Sequence, residues 1–309
     1  MHLNEWIERV AQRLENANLH YGHGTACARD EAAWLVRYAA GLPVDSSLAS
    51  SGSAAPADPE LDEEAGRRIE RLLTERIDRR VPLAYLTGRA WFAGLEFEVD
   101  ESVLVPRSPV AELILEGFQP WVPPERLSRA LDLCTGSGCI GIAMAVHLPG
   151  LRVDASDISA AALEVARRNV QRHGVADRVE LIRSDLFAGL AGRRYDLIVT
   201  NPPYVPAASL PDLPGEYRAE PALGLESGDD GLDACLRIML QSPSHLEETG
   251  ILVCEVGESD ERLEHLLPEV PFLWLEFSHG GGGVFVLDRV QLEQARPAIE
   301  RCTRMRGHV

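Results

Sequence analysis

From Ala130 onward the chain alternates short apolar, β-branched runs with longer helix-like stretches, and this alternation constrains its fold more than any other feature. The strand-like runs are Ala130 to Cys134, Arg152 to Ser156, Val179 to Arg183, Tyr195 to Thr200 and Ile251 to Glu255. Helix-like stretches run from Gly138 to His147, Ala160 to His173 and Gly231 to Leu246. Such an order predicts an α/β domain with a mostly parallel sheet covered on both faces, binding its ligands outside the carboxyl ends of the strands. Asp132, Asp157, Asp185 and Asn201 all fall at or near such ends. Phe272 to Phe277 and Val284 to Leu287 read as an antiparallel pair finishing the sheet, and Gly280 to Gly283 as the loop between them.

The strand ending at Thr200 runs directly into Asn201-Pro202-Pro203-Tyr204. Two prolines fix two φ angles and remove two backbone donors, so the carbonyls of Asn201 and Pro202 form a rigid row of acceptors. Asn201 adds a side-chain carbonyl and Tyr204 an aromatic face, a set that suits a flat group carrying an NH2, such as an amide or an exocyclic amine. Pro-Pro can also simply stop a ladder, so the reading depends on a second site.

That second site is upstream, where Asp132-Leu133-Cys134 leads into Thr135-Gly136-Ser137-Gly138-Cys139-Ile140-Gly141 and then a helix. The three glycines satisfy the dinucleotide fingerprint, and Asp157 follows at about the 20-residue distance where an acid meets a ribose hydroxyl. An NAD-dependent oxidoreductase is therefore a rival. Asp185 at a third strand end suits an adenine amino group, while the Asn-Pro-Pro-Tyr row has no evident use in hydride transfer. Asp132, a carboxylate at the end of a buried strand, needs a donor, either a structural hydrogen bond or a ligand cation.

The formal charge of −18, from 48 acidic against 30 basic residues, argues against affinity based on neutralising phosphates. All the basic residues are arginine, which excludes Schiff-base chemistry and a Walker-type lysine. The six cysteines form no C-x-x-C pair, so no metal site is expected and buried reduced thiols are the default. No targeting or membrane-spanning run is evident, which predicts a soluble cytoplasmic protein.

Before the sheet, helical periodicity predicts helices from Leu3 to Leu19, from Asp30, and from about Pro59 to Arg80. His23, between two glycines, reads as an exposed turn, and Ser46 to Pro59 as a flexible loop. Pro82 to Phe92 and Leu95 to Asp100, parted by Ala93-Gly94, read as a β-hairpin. Seven acids between Val205 and Asp233 (Asp212, Glu216, Glu220, Glu226, Asp229, Asp230 and Asp233), with a lone Arg218, suggest a collar for a basic segment.

The set Asp132 to Gly138, Asp157, Asp185 and Asn201 to Tyr204 resembles the class I S-adenosylmethionine-dependent methyltransferases that act on nitrogen. Nearly the whole chain resembles the protein N(5)-glutamine methyltransferase family. Its Tyr21 to Thr25, Ala90 to Gly94, Val105 to Pro109, Glu216 to Pro221 and Gly224 to Gly228 segments resemble the branch that modifies large-subunit ribosomal protein three. The release-factor branch typically has Pro-Arg-Pro-Asp/Glu-Thr-Glu where this chain has Pro106 to Ala111. The resemblance implies a helical substrate-recognition domain over residues 1–82, a hairpin connector over 83–106 and a Rossmann-like methyltransferase domain over 107–309. It implies S-adenosyl-L-methionine as cofactor, with Thr135, Gly136, Ser137, Gly138 and Cys139 around its methionine part, Asp132 near its ammonium and Asp157 on the ribose. Asp185 would lie by the adenine, and Asn201 where cofactor and substrate meet. Asn201, Pro202, Pro203 and Tyr204 would bind the substrate, with Asn201, Pro202 and Tyr204 catalytic. The implied partner is ribosomal protein three as a basic substrate, without nucleic acid or membrane. Methylation of release factors or of adenine in DNA remains the alternative within methyl transfer.

Overall fold

The computed structural model describes residues 1–44, 58–278 and 280–306. The expected loop from Ser46 lies, as far as Ala57, outside these residues. The chain divides into two compact units: Met1–Glu101 with Val105–Arg107 and Pro214–Glu220, and Ser102–Leu104 with Ser108–Leu213 and Pro221–Val309.

The first unit is built on α1 (Leu3–Asn16), α2 (Ala28–Ala39) and α3 (Glu63–Arg79). Leu3, Val10, Leu14, Leu35, Ile69 and Leu73 are buried, one stripe from each helix. α3 begins later than its periodicity suggests because Asp62 caps it, accepting the Ala65 N–H at 2.7 Å. Pro82 does not open a strand. It precedes a short helix, α4 (Leu83–Thr87), closed by Gly88 at φ +68. β1 (Arg89–Phe92) and β2 (Leu95–Glu98) then form the hairpin in the Ala90–Phe97 register. Ala93 and Gly94 both take positive φ, 48° and 76°, as a two-residue hairpin turn requires.

Arg76 is 1 % exposed within this unit and donates to Glu31 Oε1 at 2.6 Å, Glu216 Oε1 at 3.0 Å and the His20 carbonyl at 3.0 Å. Glu220 accepts from Arg107 at 2.6 and 2.8 Å and from the Val105 N–H at 3.0 Å. His23 is buried, not exposed: its ring lies 4.7 Å from that of Tyr217 and its Nε2 is 3.6 Å from Glu220. Gly24, at φ +98, supplies the backbone conformation with which the turn folds inward.

The second unit holds a seven-stranded sheet of order β5-β4-β3-β6-β7-β9-β8. Its strands are β3 (Arg129–Leu133), β4 (Arg152–Asp157), β5 (Val179–Arg183), β6 (Tyr195–Thr200), β7 (Leu246–Glu255), β8 (Leu273–Trp274) and β9 (Val284–Asp288). The first five in that order pair in parallel, and β9 is antiparallel to both of its neighbours. The order reverses between β3 and β6, which opens a crevice at their carboxyl ends. After the short α5 (Val110–Leu115), the helices are α6 (Cys139–His147), α7 (Ala160–Arg172), α8 (Asp233–Gln241), α9 (Asp260–Leu266) and α10 (Arg289–Met305).

Four elements of this unit depart from the sequence reading. α8 stops at Gln241 because Pro243 sits in the turn that follows, and β7 begins at Leu246, which pairs with Tyr195. β8 is two residues long where six were expected. Beyond β9 the chain forms α10, whose Asp288 cap and Gln291 make a capping box, and whose Leu292, Ala295, Ile299 and Cys302 are buried in the core. Pro297 interrupts its periodicity in sequence without breaking it.

Candidate active site

In the turn from β3 to α6, backbone conformation and packing narrowly restrict the sequence. Cys134, Gly136 and Gly138 take φ of 62°, 55° and 82°. Thr135 N–H donates to the Ser156 carbonyl at 3.0 Å, tying the turn to β4. A Cβ on Gly138 would lie 2.9 Å from Ile142 Cδ1, and one on Gly141 3.0 Å from Asp132 Oδ2. The glycines thus let α6 begin directly against the buried acid. Asn169, fully buried on α7, donates to the Ser137 carbonyl at 2.9 Å and holds the turn from behind. Nothing in a lone helical asparagine announced that role.

Asp132 is 0 % exposed. Its Oδ2 accepts from Thr135 Oγ1 and from the Gly141 N–H, the latter at 2.8 Å, while Oδ1 has no hydrogen-bond partner among the described residues. Burial pushes its pKa up to about 7, against the pull of those two donors. One oxygen of the carboxyl is thus held by structural hydrogen bonds, and the other has no partner among the described residues. Cys134 and Cys139 flank the turn as un-ionised thiols, burial raising the first far above the thiol range and the second to about 12. Cys27, unlike the expected buried thiols, is exposed.

Asp157 closes β4 and bridges to the same turn: Oδ2 accepts from the Gly136 N–H at 2.9 Å and Oδ1 from the Ser159 N–H at 2.8 Å. Burial raises its pKa, with these backbone donors opposing. Asp185 is exposed and pairs with Arg237 of α8 at 3.0 Å. It is the least confined of the three strand-end acids.

β3 and β6 are parallel neighbours in the register Leu133–Thr200, and Thr200 Oγ1 donates to the Leu133 carbonyl at 2.7 Å. Asn201 therefore leaves β6 beside the point where the glycine turn leaves β3. Pro202 is buried, and Asn201, Pro203 and Tyr204 are partly buried. Immediately beyond, Val205 N–H donates to the Leu225 carbonyl at 2.7 Å and Ser227 N–H to the Val205 carbonyl at 3.0 Å, closing the long loop back on itself. Glu255, at the end of β7, accepts from the Tyr204 hydroxyl at 3.2 Å and from Ser108 Oγ at 2.6 Å. Neither Glu255 nor Ser108 stood out in the sequence; an acid closing a buried apolar strand was the available signal.

The expected acidic collar is mostly dismantled. Glu216 and Glu220 are buried and paired within the helical unit, and Asp230 and Asp233 bind Arg306 at 2.5 and 3.2 Å. Asp212, Glu226 and Asp229 remain exposed. Loop acidity in sequence does not distinguish free carboxylates from those recruited by distant arginines.

Residues 111–210 match the family model "Methyltransferase small domain". The ribosomal protein uL3 glutamine methyltransferase of Xanthomonas campestris is 52% identical over 282 residues, covering 91% of this chain and 89% of its own. That of Xylella fastidiosa is 51% identical, covering 91% and 88%. Among solved structures, the catalytic domain of hMettl16 in complex with a 3'UTR hairpin shares the fold, with a TM-score of 0.50, 17% identity and coverage of 76% of this chain and 86% of that one. Among the described residues no helix is long and apolar enough to cross a membrane.

Proposed function

The chain belongs to the ribosomal protein uL3 glutamine methyltransferases, and from that premise we propose that Asn201, Pro202 and Tyr204 hold a glutamine side chain of uL3 for N-methylation. The enzyme is an S-adenosylmethionine-dependent protein-glutamine methyltransferase. The observation that carries the assignment of residues is the β3–β6 register, which sets the acceptor row beside the glycine turn.

An amide nitrogen is a poor nucleophile because its lone pair is delocalised into the carbonyl, so alignment must carry much of the reaction. In this reading the Asn201 side-chain oxygen and the Pro202 carbonyl accept the two amide hydrogens and turn the lone pair toward the crevice. Tyr204 packs along the amide plane. Alignment of this kind is worth about 7–11 kcal/mol in favourable intramolecular cases, so no dedicated general base is invoked, and the methylated nitrogen gives up one proton to solvent after the transfer.

The residues present fit the cofactor. The unpartnered Asp132 Oδ1 suits an ammonium, and Asp157 retains acceptor capacity beyond its two backbone bonds. Thr135 to Cys139 would enclose the methionine part and Asp157 the ribose, with Asp185 beside the adenine. Bound there, S-adenosyl-L-methionine supplies an electrophilic sulfonium methyl group. A cytoplasmic location and a basic protein partner belong to the same reading; binding to nucleic acid does not.

Intact-mass analysis of purified uL3 incubated with the enzyme and S-adenosylmethionine, with fragmentation to locate the change, tests it. One added methyl on a glutamine side chain is expected. Modification of a release factor or of adenine-containing DNA in parallel reactions, with uL3 untouched, would overturn the substrate. Asn201→Ala should retain cofactor binding and lower turnover by about a hundredfold or more. A normal rate in that variant would overturn the proposed alignment.

A further inference from the structure

We infer that Glu255 is a positioning residue for this reaction: with Ser108 behind it, it fixes the Tyr204 ring as the wall against which the glutamine amide is aligned. The inference rests on the methyltransferase reading above and adds residues that the catalytic tetrapeptide does not contain.

Glu255 ends β7 one residue beyond the Thr200–Cys254 pair, so it stands level with Asn201 on the neighbouring strand. It is 5 % exposed, and its two oxygens are divided between two hydroxyl donors. Oε2 accepts from Ser108 Oγ at 2.6 Å and Oε1 from the Tyr204 hydroxyl at 3.2 Å. Ser108 Oγ itself accepts the Val110 N–H at 3.2 Å, which orients its own proton toward the carboxyl group. Backbone thus orients serine, serine orients Glu255, and Glu255 orients the phenol.

The rest of Tyr204 is confined by backbone. A Cβ on Gly257 would lie 2.6 Å from Tyr204 Cε2, so the ring rests directly on a glycine. That glycine is backed in turn by Gly283, where a Cβ would come within 1.9 Å of the Gly257 carbonyl oxygen. The Tyr204 carbonyl accepts from Ser259 Oγ at 3.3 Å and abuts Gly231, where a Cβ would lie 2.2 Å away. Main chain and one ring face are therefore fixed by contact, while the hydroxyl anchor to Glu255 resists rotation about χ1. An apolar residue would close β7 at lower desolvation cost. A buried acid aimed at the tyrosine is explained by the geometry it imposes.

The test compares Glu255→Ala, Glu255→Gln, Tyr204→Phe and the double variant Glu255→Ala/Tyr204→Phe, measuring uL3 methylation and direct binding of S-adenosylmethionine. Glu255→Ala should lower kcat about tenfold to a hundredfold and leave cofactor affinity unchanged. Tyr204→Phe keeps the ring and loses the anchor, so it should show a loss of similar size. The double variant should fall no further than the poorer single one, and Glu255→Gln, which keeps the shape and one acceptor, should recover part of the rate. Additive losses would overturn the inference. If Glu255→Ala does not fold, Glu255→Gln and its combination with Tyr204→Phe carry the same comparison.

A readout without substrate separates the inference from the substrate assignment. With 3-fluorotyrosine at position 204, the fluorine resonance should move in Glu255→Gln. An unmoved line overturns the inference whatever the activity. A moved line in a protein that leaves uL3 unmodified supports the positioning of Tyr204 and overturns the substrate instead.

Discussion

Glu220 in the helical unit and Asp132 in the catalytic unit are both buried carboxyls, yet their surroundings drive them in opposite directions. Burial works to raise Glu220, but His23 and the Arg107 guanidinium outweigh it and hold the pKa at about 2. Burial raises Asp132 to about 7, and its hydroxyl and amide donors only moderate the rise. Glu220 has both oxygens bonded to Arg107 and takes the Val105 N–H as well, whereas Asp132 has one oxygen with no partner among the described residues. The first carboxylate is neutralised by a residue of its own unit. The second is not, and its free oxygen is what the proposed cofactor site makes use of.

The largest expected effect falls on the staple side. Arg76→Ala would leave Glu31 and Glu216 buried without their shared cation, and should cost about 3–5 kcal/mol of stability, read as a lower denaturant midpoint. A loss near zero would mean that the buried pairs do not hold the helical unit, and the contrast would fail. Glu220→Gln keeps the shape but turns an amide donor toward Arg107; about 1–3 kcal/mol should be lost. Its pH dependence sharpens the point. Because the folded pKa is depressed, the stabilisation from Glu220 is full above the ordinary glutamate value near 4.5 and disappears as pH falls toward 2. The acid limb of the unfolding profile should therefore be shallower in Glu220→Gln than in the parent.

Asp132→Asn should give the smallest change in stability, with the opposite sign. Folded Asp132 holds a proton that the unfolded chain releases near pH 3.8, so its contribution falls as pH rises through the window from there to about 7. Above that window the substitution should stabilise the protein by about 1 kcal/mol, since it removes a buried charge while an amide oxygen can still accept from Thr135 and Gly141. The same variant should bind S-adenosylmethionine about tenfold more weakly. Calorimetry of unfolding and titration of the cofactor check the two halves separately. Destabilisation at pH 8 together with unchanged cofactor affinity would make Asp132 another staple.

Much of the catalytic unit was legible because its elements follow local rules. β-branched runs, a glycine turn with positive φ and a double proline each force one backbone outcome with little help from elsewhere. The helical unit was less so. His23 reads as exposed because two glycines flank it, and only the packing of Tyr217 and Glu220 around it makes it buried. Glu216 and Glu220 read as loop acids because their partners are far away in sequence: Arg76 is 140 residues from Glu216, and Arg107 is 113 from Glu220. α10 lies beyond the last segment that the sequence reading covers, and burial of Leu292, Ala295, Ile299 and Cys302 sustains it across Pro297 in the fold.

By itself, then, the sequence determined the order of the parallel strands, the glycine turn after β3 and the Asn-Pro-Pro-Tyr tetrapeptide after β6, since each depends on residues within a few positions of one another. Tertiary structure decided which acids are free, which are paired, and that Glu255 and Ser108 stand behind Tyr204. Ser108 and Glu255 are 147 residues apart. A hydrogen bond across that separation leaves no local periodicity or spacing to read, and it exists only once β7 has taken its place beside β6.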